Sequence, residues 1–282
     1  MQPTAKPPKL FDRDLLLQRR KRAATEPVDF LHVEIADQLQ ERLTEVNRRF
    51  TSPAVIGPVD KKFCMVAGLK DAQHFSDDPT LALGNAKHDL VIHAFSLHSA
   101  NDPVGQMIQS RLALKPDGLF VGILFAGRTL QELRTALAQA ETEILGGLSP
   151  RVAPMADLRD LGGLLQRAGF ALPVADTVTM NTSYQTPQRL MHDLRFMGET
   201  NVMHARHRIP MRRALLNRAV EIYRQKFPAS NNRIKATFEI AFLTGWYPSA
   251  DQPKPLRPGS AQARLADALG TAETKLNEDD NG

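Results

Sequence analysis

Residues 88–127, HDLVIHAFSLHSANDPVGQMIQSRLALKPDGLFVGILFAG, decide the fold. Residues 89–95 are apolar without alternation, the pattern of a strand covered on both faces by helices. Asn101 and Asp102 are helix-capping residues, and Pro103 suits a first helical turn because the N–H it lacks would have had no partner. Met107, Ile108 and Leu112 or Leu114 supply an apolar helix face, and Lys115-Pro116-Asp117-Gly118 then turns the chain and ends that helix. Residues 119–125 make the next buried strand, set beside the first by a right-handed crossover. Such a unit is half of a parallel α/β sheet. Open sheets of this kind bind ligands at the carboxyl ends of their strands, here residues 93–98.

Working outward, residues 12–24 and 29–46 read as two helices that lid the sheet. The first carries Leu15, Leu16 and Leu17 against a basic run, Arg19-Arg20-Lys21-Arg22, most simply a solvated helix face; the second carries Phe30, Ile35, Leu39, Leu43 and Val46 at helical spacing. Downstream, Leu130, Leu133, Leu137, Ala140 and Ile144 stripe a helix with Glu132, Arg134, Glu141 and Glu143 outside it, closed by Gly146 and Gly147. Residues 158–165 stripe another. Residues 173–180 and 237–246 read as strands forming an antiparallel edge, with a helical insertion at 186–227 between them. The interval between residues 57 and 89 is harder: 63–67 reads as a short strand, and 73–75 or 81–83 as another. The domain organisation expected is a helical segment at 1–50, an α/β domain at 51–250, and a tail at 251–282 with a disordered acidic end.

A chain of 282 residues, 42% apolar and 24% charged, can bury a full core without staples. Its apolar runs are too short to cross a bilayer. The single cysteine, Cys64, excludes an internal disulfide, suits a reducing compartment, and is a poor nucleophile in an apolar run. Residues 1–10 contain no apolar signal core, so a bacterial cytoplasmic location is expected; an organellar form would be a mature one. His74, His88, His93 and His98 have no carboxylate or cysteine at metal-ligand spacing, so no metal site is expected.

The strand, the SLHSANDP segment, the helix and LKPDG together resemble the second half of class I S-adenosylmethionine (SAM) methyltransferases. LQELRTALAQAETEILGGLSPRVAPMADLRDLGGLLQRAGF, from residue 130, resembles the branch holding malonyl-acyl-carrier-protein methyltransferases and the mitochondrial complex I assembly-factor methyltransferases. LMHDLRFMGETN from 190, TFEIAFLTGW from 237, KLFDRDLLLQRRKRAA and FLHVEIADQLQERL resemble the assembly-factor side. The resemblance implies a Rossmann-like class I methyltransferase sheet, SAM as cofactor, and a protein or acyl substrate. On the assembly-factor side it implies a complex I client and hydroxylation of an arginine as variant chemistry.

This chain departs from that family where the cofactor is gripped. The family's DxGxGxG loop lets the backbone approach SAM because glycine has no Cβ. Here the segment is SPAVIGPVD, with Gly57 alone and followed by proline. A crossover needs about a dozen residues or more, and the interval from Gly57 to Asp89 is about half of what the family uses. A reduced N-terminal half, with at least one helix missing, is expected. Within it Asp77 or Asp78 is the candidate for the acid that bonds the ribose or adenine of SAM, although two acids ahead of Pro79 also make a turn. His93, Ala94 and His98 complete the candidate cofactor set, and Ser99 stands where the family carries tryptophan.

Methyl transfer is an in-line displacement that rests mostly on positioning, so no acid–base pair need be visible. Two function classes follow: a SAM-dependent methyltransferase of weakened or lost cofactor affinity, or a non-catalytic assembly or binding factor on the same scaffold. The run Arg206, His207, Arg208, Arg212, Arg213, Arg218 and Arg224, in a chain of net charge +5, is denser than packing requires. Arg206, Arg208, Arg212 and Arg213 are the candidate partner-binding residues. With only Tyr223 and Phe227 interleaved, nucleic acid is the less favoured partner and a protein the more favoured.

Overall fold

The computed structural model describes residues 9–250 and Gln252, so the expectations for the rest of the tail lie outside the described residues. The chain divides after Pro248, and the first unit is described here. Its elements are α1 (Arg13–Ala23), α2 (Phe30–Glu45), β1 (Pro53–Ile56), α3 (Lys61–Val66), β2 (Gln73–Phe75), β3 (His88–Ala94), α4 (Pro103–Ala113), β4 (Leu114–Phe125), α5 (Gln131–Leu145), α6 (Leu158–Arg167), β5 (Ala171–Tyr184), α7 (Pro187–Phe196), α8 (Arg213–Lys226), β6 (Pro228–Ala229) and β7 (Arg233–Trp246). A single 3₁₀ turn, Leu97–Ser99, follows β3.

The strands form one sheet in the order β2-β1-β3-β4-β7-β5, with β6 paired to β7. The pairings β2–β1, β1–β3 and β3–β4 are parallel, whereas β4–β7 and β7–β5 are antiparallel. This is the Rossmann-like sheet expected of the family, with α1 and α2 ahead of it and α7 and α8 inserted between β5 and β7. Its central strands, β1, β3, β4 and β7, bury both faces, while the edge strands β2 and β5 are partly exposed. Val55, Leu90, Ile92, Ile123 and Ile240 pack with Leu31, Ile35 and Leu39 of α2 in one core, and Ile56, Val91, Phe120 and Leu243 pack with Leu161 and Leu165 of α6 in the other. Each fully buried leucine or isoleucine contributes about 1.5–3 kcal/mol.

The N-terminal half is reduced as the spacing implies. Between β1 and β3 there is one short helix, and residues 76–87 run from β2 to β3 without another. The strand expected at 63–67 is instead α3: Asp60 accepts the Phe63 N–H at 2.9 Å as an N-cap, which starts a helix where apolar content alone reads as strand. Residues 73–75 are a strand. Residues 81–83 are not, although Leu81 and Leu83 are buried against α4 and β3. The Lys115-to-Gly118 turn is absorbed into the start of β4, with Asp117 at φ +60 and a register shift against β3 between His88 and Leu90.

Two acids read as outward-facing are buried. Glu132 accepts the Thr237 N–H and hydroxyl, and Glu141 accepts Ser149 and Arg151. Their partners lie far along the chain or in a loop, where helical periodicity does not reach.

Candidate functional site

The chain passes from β1 to β2 on one side and to β3 on the other, so the crevice where strand order reverses lies between the carboxyl ends of β1 and β3. Gly57 follows β1 with φ +122. A Cβ placed there would sit 2.0 Å from the Ala94 carbonyl oxygen and 3.4 Å from Ser96 Oγ. The glycine is therefore required, but by the packing of one strand end on the next. Phe95, at φ +51, is fully buried. Its ring lies 4.4 Å from that of His32 and 5.5 Å from that of Phe125, with Phe63 edge-on at 6.4 Å. His93 is fully buried too. Its Nδ1 shares a 3.0 Å hydrogen bond with Ser96 Oγ, and its Nε2 has no partner among the described residues. Burial pushes the imidazole down to about 4, so the ring is neutral at physiological pH.

Asp77 lies two residues beyond β2, at the same edge of the sheet. It is not a turn residue. Its carboxylate is 7% exposed and receives Arg13 on both oxygens, each at 2.8 Å, and Arg20 at 2.8 Å. Burial alone would raise its pKa, but the two guanidiniums overcome that and hold it well below the ordinary carboxylate range. Gln106 of α4 donates to the carbonyls of Asp77 and Asp78 and fixes the segment. Asp78 is largely exposed, 3.6 Å from Arg13.

The two arginines reach Asp77 because they are seven residues apart on α1 and share a face. Asp12 caps α1 by accepting the Leu15 N–H. The helix is latched at both ends. Asn101 does not cap α4, a role taken by Asp102; it accepts the Phe11 N–H and donates to the Phe11 carbonyl. Arg19 donates to Thr200 and Asn201, and Arg206 pairs with Asp12 at 3.1 Å. Part of the basic run read as a solvated face is thus internal, with the Arg20 side chain only 12% exposed.

The residues at this crevice do not fit SAM. The backbone approach that a glycine loop would offer the cofactor is taken by Ala94, and Asp77, the candidate for the ribose-binding acid, is neutralised by two arginines of the same chain. Gly57, Asp77, His93 and Ala94 are brought together; Asp78 and His98 lie to either side.

The edge beyond β4 is different. His98, in the 3₁₀ turn, gives Nε2 a 3.0 Å contact with Glu199 Oε2, and its ring stands edge-on to Phe125 at 5.1 Å. Glu199 is placed by the end of α7. Gly198 takes φ +79, and the Glu199 N–H returns to the Leu194 carbonyl at 2.9 Å, which is how the sequence RFMGE stops a helix. Burial raises the Glu199 pKa, but His98 and Arg20 outweigh it and the net shift is downward. Around this pair is a mainly apolar cavity of about 260 Å³ lined by Leu16, Leu133, Leu137, Met155, Met191 and Met211, among others. The absent tryptophan belongs here, since Ser99 lines the cavity.

Of the candidate partner residues, Arg206 turns inward onto Asp12, whereas Arg208, Arg212 and Arg213 are exposed, the last two at the start of α8. Sequence reading missed Arg13, Arg20 and Glu199. The seven-residue spacing of the arginines was the available signal for the first two; for Glu199 it was the glycine before it.

No protein-family model matches the chain. The mouse mitochondrial arginine-hydroxylase NDUFAF5 is 33% identical over 297 residues, covering 95% of this chain and 85% of that protein. A malonyl-[acyl-carrier protein] O-methyltransferase of Methylovorus is 30% identical over 175 residues, covering 62% of this chain and 56% of that one. Among solved structures, a SAM-dependent methyltransferase of Thermotoga maritima superposes with a TM-score of 0.43 at 11% identity, over 83% of this chain and 99% of that chain.

Proposed function

The chain belongs to the NDUFAF5 arginine-hydroxylase family, and from that premise we propose that it works as an assembly or binding factor that keeps the methyltransferase scaffold without using SAM. The observation that carries this reading is Asp77 held by Arg13 and Arg20, an intramolecular occupant where the cofactor's ribose would be read. The ligands of methyltransferase relatives are a family-level expectation; this chain's crevice supports the opposite.

In this reading the client is a protein, with a respiratory complex I subunit the first candidate because of the family, and its contact is the exposed Arg212 and Arg213 at the head of α8. Exposed guanidiniums suit an acidic protein face. The single Cys64 supports a reducing compartment such as bacterial cytoplasm.

The test is complementation of a deletion strain, reading assembled complex I on native gels. Wild type is expected to restore assembly, and Arg212→Glu/Arg213→Glu to abolish it. Full restoration by the double variant would remove those residues from the client contact. Failure of wild type to restore assembly would remove complex I as the client.

A further inference from the structure

The apolar cavity adjoins a second space of about 370 Å³, and Leu137, Arg151, Asn201 and Met211 line both. The second space is polar in a one-sided way. Arg19, Arg151, Arg206, His207 and Arg208 line it, and among the described residues no acidic side chain does. Two of those cations are satisfied from behind: Arg151 by Glu141 at 2.7 Å and Arg206 by Asp12. Arg19 is not, since its guanidinium reaches only Thr200 Oγ1 and the Asn201 carbonyl. Arg208 has no carboxylate partner among the described residues.

Burial lowers the pKa of Arg19, and the charges of Arg206, Arg22 and Arg195 lower it further against an opposing pull from Asp12. A guanidinium does not deprotonate in a protein. The crowding is therefore a standing repulsion that an anion at the mouth would relieve. Arg151, nine-tenths buried where the two spaces meet, also has an Nε without a partner.

A mainly apolar cavity beside a cationic mouth, in which Arg19 and Arg208 have no carboxylate hydrogen-bond partner among the described residues, is complementary to one kind of molecule. We infer that the paired cavities bind a single-chain amphiphile, an apolar chain ending in a phosphate or carboxylate, with the chain among Leu133, Leu137 and Met191 and the head on Arg19 and Arg208. The apolar cavity supplies burial of the chain. The arginines supply charge-assisted hydrogen bonds to the head. This inference does not rest on the assembly reading, because neither Arg212 nor Arg213 lines either space.

The experiment displaces a fluorescent fatty-acid probe from the full chain with dodecyl phosphate, dodecanoate, dodecanol and inorganic phosphate. Dodecyl phosphate and dodecanoate are expected to bind at one site, at least about tenfold more tightly than dodecanol, and the advantage should shrink with added salt. Inorganic phosphate is expected not to compete at equal concentration. Arg19→Gln/Arg208→Gln should cost about tenfold or more for the anionic amphiphiles and little for dodecanol. Leu133→Trp should weaken both chain-bearing anions by filling the cavity. A melting curve on each variant verifies the fold, and should Leu133→Trp fail to fold, Met191→Trp replaces it at the cavity wall. Equal binding of dodecanol, competition by inorganic phosphate as strong as by dodecyl phosphate, or no displacement by any of them would overturn the inference.

Discussion

The two ends of one sheet edge have been treated in opposite ways. Beside β1, β2 and β3, the groups a cofactor would meet are largely taken by the chain itself: Gly57 packs on the Ala94 carbonyl and Asp77 is held by Arg13 and Arg20, while the buried His93 Nε2 has no partner among the described residues. Beyond β4 the same edge keeps an apolar cavity and a cationic mouth. One helix serves both ends. α1 lays Arg13 and Arg20 on the closed side while Leu16 lines the cavity and Arg19 its mouth. The contrast teaches how internal salt bridges can occupy one end of a sheet edge while the neighbouring end keeps an open pocket.

The comparison is broken most severely at Gly57. Gly57→Val adds strain at φ +122 and forces Cβ into the Ala94 carbonyl, and should cost about 3–5 kcal/mol in denaturant unfolding. A cost under about 1 kcal/mol would show that the closed side is loosely packed. Next is Arg20→Met, which leaves Asp77 buried with half of its counter-charge and should cost about 3 kcal/mol. The triple variant Arg13→Met/Arg20→Met/Asp77→Leu should recover most of that loss, since a buried ion network replaced whole by apolar groups is often near neutral.

A third effect is in pH. His93 is depressed from 6.5 to about 4 in the fold, so the unfolded chain binds the proton first as pH falls. The stability that neutral His93 confers is complete above about 6.5 and is lost as pH falls towards about 4, a decline of up to about 3 kcal/mol. His93→Gln should flatten that window in urea titrations, and an unchanged slope would refute the assignment. The smallest effect sharpens the contrast. Leu137→Phe, growing into the open cavity, should cost less than about 1 kcal/mol, whereas Leu90→Phe in the closed core should cost about 1–3.

What the sequence made legible follows from where the determinants lie. The pattern of residues 88–127, the capping Asp102 and the stripe of Leu133 and Leu137 are local, and they place β3, α4 and α5 closely and β4 by its second half, its start running five residues earlier through the expected turn. The missing glycine loop was equally plain. The cofactor wall's fate was not, because Arg13 and Asp77 are 64 residues apart and Arg20 and Asp77 57. Nothing in the local context of Asp77-Asp78-Pro79 distinguishes an acid in a turn from one held by two arginines. α3 was missed for the opposite reason: a single capping aspartate outweighed the five residues of strand-like composition at 63–67.

The central claim is that this crevice has closed to SAM, and calorimetric titration of the intact chain with SAM and S-adenosylhomocysteine tests it most directly. The closed wall predicts no saturable heat up to about millimolar ligand, a free energy no better than about −4 kcal/mol. One-site binding at low micromolar concentration would contradict it.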